Sequence, residues 1–195
     1  MKKLCLLALP LLAAALPSQA AAQDADAPTS GFRIDLIAGY DDIRADPDGD
    51  DDRSGFHGAV FGAGVGYEIP MGTVSFGIDA EATFTTTDLA IDEGELSAGR
   101  DLYVGGRLSG HVSDRVTVYG KLGYTNLAFR TDLDDGEDVP DLDVRGTLDG
   151  VRGALGITLR SGDDGNVYYG LEGRYSNYEA GVTRRQLALV IGTRF

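Results

Sequence analysis

The stretch LALVIGTRF, from Leu187 to Phe195, alternates large apolar residues with smaller or polar ones and ends on an aromatic side chain. This period-two alternation is typical of a β-strand with one apolar face. Chain termini are usually polar and frayed, so an apolar strand at this position is unusual. We predict that residues 184–195 form a strand that closes a sheet by pairing with the first strand, because hydrocarbon tolerates no unpaired sheet edge.

The same alternation recurs from residue 31 onward, and no segment shows the 3.6-residue periodicity of a helix. The sequence therefore predicts an all-β protein with an even number of strands. The eight predicted strands are 31–42, 55–69, 73–87, 100–112, 116–130, 144–160, 167–179 and 184–195.

The N-terminal segment has the three parts of a secretory signal peptide. Two lysines precede an apolar run from Leu4 to Leu16, and small residues follow it. We expect residues 1–22 to be removed, residues 23–30 to form a polar leader and residues 31–195 to form one domain. The single cysteine, Cys5, would leave with the signal peptide, so we expect no disulfide.

The connections between the predicted strands alternate in length. Those at 70–72, 113–115 and 161–166 are tight, whereas those at 42–55, 88–99 and 132–143 are longer and acidic. In an up-and-down sheet this alternation puts all short turns at one end, as in outer-membrane barrels. The predicted strands are also long enough to cross a bilayer, which takes about 9–11 residues. We predict an eight-stranded antiparallel up-and-down transmembrane β-barrel.

The face opposite the apolar one is small or charged, and its charges are nearly balanced. Charges enclosed in a lumen must be paired, so this balance favours a membrane barrel with the charged face inside. A soluble lipocalin-like barrel, with the apolar face around a ligand, is the alternative. The predicted lumen charges are Arg33, Asp35, Glu68, Asp79, Glu81, Arg107, Lys121, Arg152, Arg160, Glu172, Arg174 and Arg194.

Aromatic residues fall near the ends of the predicted apolar faces, where the interfacial girdles of a membrane barrel lie. The residues that we assign to these girdles are Tyr40, Tyr67, Phe84, Tyr124, Phe129, Tyr175 and Phe195.

An alternating final strand that ends in Phe resembles the C-terminal signal of bacterial outer-membrane barrels, and the chain is similar to the outer membrane β-barrel domain family. This group includes porin-family proteins, the OmpA transmembrane domain and the opacity proteins. The resemblance implies a Gram-negative outer membrane, contact with its lipid and lipopolysaccharide, and a structural, envelope or surface-interaction role. It also implies that the barrel-assembly machinery reads Leu187, Leu189, Ile191 and Phe195.

Transport and catalysis find less support. Side chains fill an eight-stranded lumen, whereas aqueous channels need about 16 strands, so we predict no general diffusion pore. His111 and Ser113 resemble part of a lipid A deacylase site, the enzymatic alternative, but the facing stretch TVYGKLGYT lacks an acidic residue. We predict no enzyme and no catalytic residues.

Nucleic acid is excluded as a partner by a formal net charge of −14, because phosphate binding needs clusters of Lys and Arg. The Gly-x-Gly spacing within residues 62–68 lies in a strand and lacks the context of a dinucleotide site, so we expect no cofactor. The acidic stretch DPDGDDD at 46–52 lacks the complete ligand spacing of a calcium loop. We expect at most weak divalent-cation binding at these acidic loops and no dedicated metal site.

Overall fold

The computed structural model describes residues 31–45, 54–86, 88–91, 94–133, 142–161 and 166–195. The predicted signal peptide, the leader and the acidic stretch 46–52 lie outside these residues. Within the described ranges, no helix is both long and apolar enough to cross a membrane.

The described residues form nine antiparallel β-strands, in agreement with the all-β prediction. Their bounds are β1 Gly31–Ala45, β2 Ser54–Met71, β3 Val74–Thr85, β4 Asp88–Ile91, β5 Gly94–His111, β6 Val116–Leu133, β7 Leu142–Ser161, β8 Val167–Tyr178 and β9 Val182–Arg194.

Eight of these strands close into a barrel, which confirms the predicted architecture. β1 pairs with β9, and β3 pairs with β5, so that each of the eight barrel strands has a barrel neighbour on both sides, and β4 pairs only with β5. Following paired residues once around the barrel leads from Arg33 to Ile43 of the same strand, a stagger of ten residues. A stagger of this kind requires the strands to tilt, typically by about 35–45°.

The acidic segment 88–99 contains more strand than expected. It holds the short strand β4 and the first residues of β5, which pair as a hairpin between Asp88–Ile91 and Gly94–Ser97. β6 and β7 likewise run past the barrel to Leu133 and Leu142. Charged residues obscured this extension in the sequence, since acidic side chains are depleted in strands but tolerated on solvated ones. We call β4 with residues 94–99, 127–133 and 142–149 the upper sheet.

The apolar face of every barrel strand points outward. Leu36, Leu155 and Leu189 are 62%, 75% and 63% exposed, whereas Arg33 and Glu172 on the inner face are 1% and 0% exposed. The lipocalin-like alternative is therefore wrong, because the described apolar faces point away from the lumen and the charged side chains point into it. An outer face of exposed Leu, Ile, Val and aromatic side chains suits a hydrocarbon environment.

Aromatic residues mark the long-loop edge of this apolar face. Above Tyr40, Phe84, Tyr124 and Tyr175, the next outward residues are Asp42, Thr86, Asn126 and Asn177, all polar. The prediction for Phe129 is wrong. This residue shares the inward parity of Lys121 and Thr125, and its ring lies where a side chain on Gly146 would stand.

Candidate functional site: the charged lumen

The barrel encloses equal numbers of buried acidic and basic side chains. Apart from Asp42, which lies on the outer face, seven acids and seven bases are buried among the described residues. The acids are Asp35, Asp41, Glu68, Asp79, Glu81, Asp101 and Glu172, and the bases are Arg33, Arg107, Lys121, Arg152, Arg174, Arg184 and Arg194. Because burial of an unpaired charge is costly, this balance allows every charge to have a counter-charge.

Near the short-turn end, Glu68 collects three donors. Arg107 Nε lies 2.9 Å from Glu68 Oε1, and Arg194 Nη2 lies 2.6 Å from Oε2. The Ser109 hydroxyl donates to Oε1 at 2.6 Å. Arg33 pairs with Asp79 just above this carboxylate. This lower cluster joins five strands of the barrel across its interior.

The middle of the lumen is organised around Lys121. Its Nζ lies 2.6 Å from Glu81 Oε1 and 2.8 Å from Glu172 Oε2, and 3.4 Å from an Asp79 oxygen. Arg174 bridges the same two glutamates, with Nη2 3.2 Å from Glu81 Oε2 and Nε against Glu172. The Tyr119 hydroxyl also donates to Glu172 at 2.7 Å. Two cations and two carboxylates thus form a compact, buried group.

The upper cluster consists of residues that the sequence-based prediction had largely missed. Arg184 donates to both oxygens of Asp41 at 2.7 Å and also pairs with Asp101. Arg152 pairs with Asp101 as well, and the Thr125 hydroxyl donates to Asp101 at 2.6 Å. A bidentate Arg–carboxylate pair is among the strongest and most directional ion pairs in proteins.

The structure places eleven of the twelve predicted lumen charges in the buried set. Arg160 has the inward parity but is only half-buried near the short-turn end, and it makes no ion pair with any described residue. The missed residues are Asp41, Asp101 and Arg184. Continuing the period-two parity of each predicted strand to its end would have found all three, because they share the parity of Arg33, Arg107 and Arg194.

Aromatic rings fill the space between the charged clusters. Tyr119 lies over Gly156 and Tyr168 over Gly192, so that a Cβ at either glycine would overlap the ring. The Arg107 guanidinium lies 3.5 Å from the centroid of the Tyr119 ring, a cation–π contact. Ion pairs and rings thus fill much of the described lumen, together with buried aliphatic side chains such as Ile37 and Val190.

The residues of the enzymatic alternative do not come together. His111 Nε2 lies 2.9 Å from Ser75 Oγ and its Nδ1 lies 3.1 Å from Thr117 Oγ1. Ser113 instead accepts a hydrogen bond from the Val116 amide within the turn. No carboxylate contacts His111 in the described part of the chain, and no group there contains three potential metal ligands. These contacts do not form a hydrogen-bonded chain of nucleophile, base and acid.

Polar contacts on the outer surface begin at the long-loop edge of the apolar face. The Tyr124 hydroxyl and the Asn126 amide both donate to Asp149, and these hydrogen bonds hold the pKa of that exposed carboxyl below its usual range. On β1, Asp42 pairs with Arg44 at 3.1 Å. A ring of polar groups therefore separates the apolar band from the loops.

Comparison with known proteins agrees with this architecture. A family described as outer membrane protein beta-barrel domain matches residues 6–195. A search of curated protein sequences gave no significant match.

Solved structures show the same fold at low sequence identity. Ail, the attachment invasion locus protein of Yersinia pestis, is 16% identical with a TM-score of 0.53, and the match covers 86% of this chain and 100% of Ail. Neisserial surface protein A is 15% identical with a TM-score of 0.61, and the match covers 86% and 100%. A complex of Ail with the heparin analogue sucrose octasulfate is also similar, at 15% identity, a TM-score of 0.54 and coverage of 85% and 99%.

Proposed function

The chain belongs to the outer membrane protein beta-barrel domain family, and from this premise we propose that it acts through its outer surface and loops, and that its lumen neither conducts solutes nor catalyses a reaction. The family places it in the outer membrane of a Gram-negative bacterium. The role is structural support of the envelope or contact with the surroundings of the cell.

One observation carries the proposal: the lumen is occupied by fourteen mutually paired charges. Opening a path through it would separate buried ion pairs, and breaking such a pair by removing one partner costs about 3–5 kcal/mol. General diffusion pores also have about twice as many strands. The loops and the outer surface are then the parts that face other molecules.

Lipid, lipopolysaccharide and assembly factors are the partners that follow from this position. Leu187, Leu189 and Ile191 point outward on the last strand and are about half exposed or more, and Phe195 is 68% exposed. These side chains support the proposed assembly signal. The acidic loop at 46–52 is proposed to share divalent cations weakly with lipopolysaccharide phosphates. The heparin analogue bound by Ail is a polyanion, and a net charge of −14 disfavours that ligand class here.

Conductance across a planar bilayer tests the closed lumen. The purified full chain should give no steady open-pore steps under conditions in which a 16-stranded porin, as the control, opens readily. Stable steps of porin size would overturn the proposal.

Cells lacking the protein separate the two surface roles. We compare rescue of detergent sensitivity by the native chain and by a variant in which residues 46–53 and 134–141 are replaced by Gly/Ser of equal length. Full rescue by this variant indicates that the protein stabilises the envelope independently of its loops. Loss of rescue, with a normal amount of the variant in the membrane, indicates a role for the loops. No sensitivity in the deletion strain would contradict the envelope role.

A further inference from the structure

The hairpin that joins β8 to β9 has a tight turn, although it lies at the long-loop end of the barrel. Ala180 and Gly181 have φ angles of 57° and 70°, as in the two-residue type I′ turn that suits twisted strands. The connections 46–53 and 134–141 at the same end have eight residues each. The β8–β9 turn is therefore too short to cover the outer face of these two strands.

Below this turn, the outer face contains an apolar hollow that includes Gly173. The hollow has a volume of about 640 Å³, and its lining also includes Gly153, Leu155, Tyr175 and Arg185. A Cβ at Gly173 would meet no atom within 4 Å, so the contacts in the described structure do not require a glycine there. Glycine inside a strand is unfavourable and often marks a place where another backbone approaches closely.

A protruding side chain lies directly beside the hollow. Gly173 on β8 is the register partner of Leu187 on β9, and Leu187 is 53% exposed. A two-fold axis along the membrane normal that passes through the β8–β9 seam would exchange these two strands between two copies of the chain. Leu187 of each copy would then face Gly173 of the other, as in the isologous interfaces of symmetric dimers.

The charges above this seam are divided in the same way. Glu179 follows β8 and Arg185 lies on β9, and both side chains are exposed and form no ion pair with a described residue. Asp42, the register partner of Arg185 on β1, pairs with Arg44 instead. The same two-fold axis would bring Arg185 of each copy toward Glu179 of the other.

We propose that two copies of this chain associate in the membrane through the outer faces of β8 and β9. Packing of Leu187 into the hollow at Gly173 supplies most of the affinity, because small residues let membrane proteins approach closely. The Arg185–Glu179 pairs at the exposed edge contribute less and fix the alignment of the copies. A lipid phosphate could pair with Arg185 but would be repelled by Glu179, whereas a second copy satisfies both charges.

The test measures energy transfer between donor- and acceptor-labelled full chains in lipid vesicles, over a range of protein-to-lipid ratios. We expect the native chain to dimerise. Gly173→Val fills the hollow and should weaken the dimer about ten-fold or more. Gly106→Val is the matched control, because Gly106 faces outward on β5, across the barrel from the β8–β9 seam. A Cβ at Gly106 meets its nearest atom at 3.9 Å, so this variant should dimerise normally.

Charge reversal tests the alignment of the two copies. Arg185→Glu places a like charge opposite Glu179 of the other copy and should weaken the dimer about five-fold. Adding Glu179→Arg restores opposite charges and should recover the native affinity. Arg100→Glu, at an exposed position of β5, is the control and should have no effect. A boiled-against-unboiled gel shift verifies that every variant keeps a closed barrel.

Three results would overturn the inference: a native chain that stays monomeric at every ratio, a dimer that Gly173→Val leaves intact, or an Arg185→Glu defect that Glu179→Arg does not correct. Lipopolysaccharide that copurifies with a monomeric native chain, but not with Gly173→Val, would also overturn it by assigning this face to lipid. The inference goes beyond the proposed function, which the conductance and rescue experiments test separately.

Discussion

Glycine and aromatic residues occupy complementary positions on neighbouring strands of the lumen. Tyr119 of β6 lies over Gly156 of β7, and from there its hydroxyl reaches Glu172 of β8 at 2.7 Å. The sequence analysis identified small residues on the face opposite the apolar one. The structure shows a more specific reason for Gly156. Because this residue lacks a Cβ, the Tyr119 ring can lie over it and connect β6, β7 and β8.

Gly156→Val should destabilise the barrel, because the new side chain displaces the Tyr119 ring. Overpacking of this kind costs about 1–3 kcal/mol, and the free energy of unfolding in urea and lipid vesicles measures it. Gly153→Val is the matched control on the same strand, where a Cβ meets no atom within 4 Å. We expect that control to change the free energy of unfolding by less than about 0.5 kcal/mol. Equal losses in both variants would show that strand propensity, rather than the ring, sets the effect.

Glu172→Gln should be more harmful than its size suggests. The change leaves Lys121 and Arg174 with one fewer counter-charge, and uncompensated buried charge costs about 3–5 kcal/mol. Adding Lys121→Met to it should recover part of the loss. The measurement is a double-mutant cycle on the free energy of unfolding. Strictly additive losses would contradict the close coupling of these groups.

At the scale of the strands, the hydrophobic periodicity predicted the strands that have an apolar face in lipid. It missed the strand segments that lie above the barrel. The eight barrel strands were predicted within a few residues, because each has an apolar face in lipid. β4 and the upper part of β5 were missed, since segment 88–99 is acidic and reads as a loop. Which lumen charges meet was also beyond the sequence, because the contacts of Arg184 depend on the ten-residue stagger.

The part of the upper sheet formed by β6 and β7 should be dispensable for the barrel. Leu127 and Leu148 are paired residues at its base, so replacing residues 128–147 by Asn-Gly joins them by a two-residue turn. None of the fourteen buried charges is removed. We expect the unboiled protein to keep its faster gel mobility and its thermal transition to stay within a few degrees. A lost mobility shift would mean that this part of the upper sheet is needed for a stable closed barrel.

For the whole molecule, an apolar exterior around a charged interior reverses the arrangement of a soluble protein. This reversal was predictable because the charges on the small face were nearly balanced. Its energetic basis is the cost of placing charge in hydrocarbon, which depends on depth.

Arginine substitutions on the outer face test that depth dependence. Leu189→Arg, near the middle of the apolar band, should destabilise the barrel folded in vesicles by about 2–4 kcal/mol. Asn177→Arg, at the polar edge above Tyr175, should cost about 1 kcal/mol or less. Similar costs at both positions would place the membrane elsewhere on the barrel.

The seam between β1 and β9 closes the barrel. The Arg184–Asp41 pair across it joins residues 143 positions apart. Forming this pair therefore closes a very long loop, and the chain loses the corresponding conformational entropy. Until that seam forms, the charges on the inner face of an open sheet lack the counter-charges that the facing strands supply. An incomplete barrel is therefore unstable in lipid. Contacts between residues so distant in sequence are also expected to make folding slow. Closure of the β1–β9 seam thus brings the lumen charges of β9 to their counter-charges, Arg184 to Asp41 and Arg194 to Glu68.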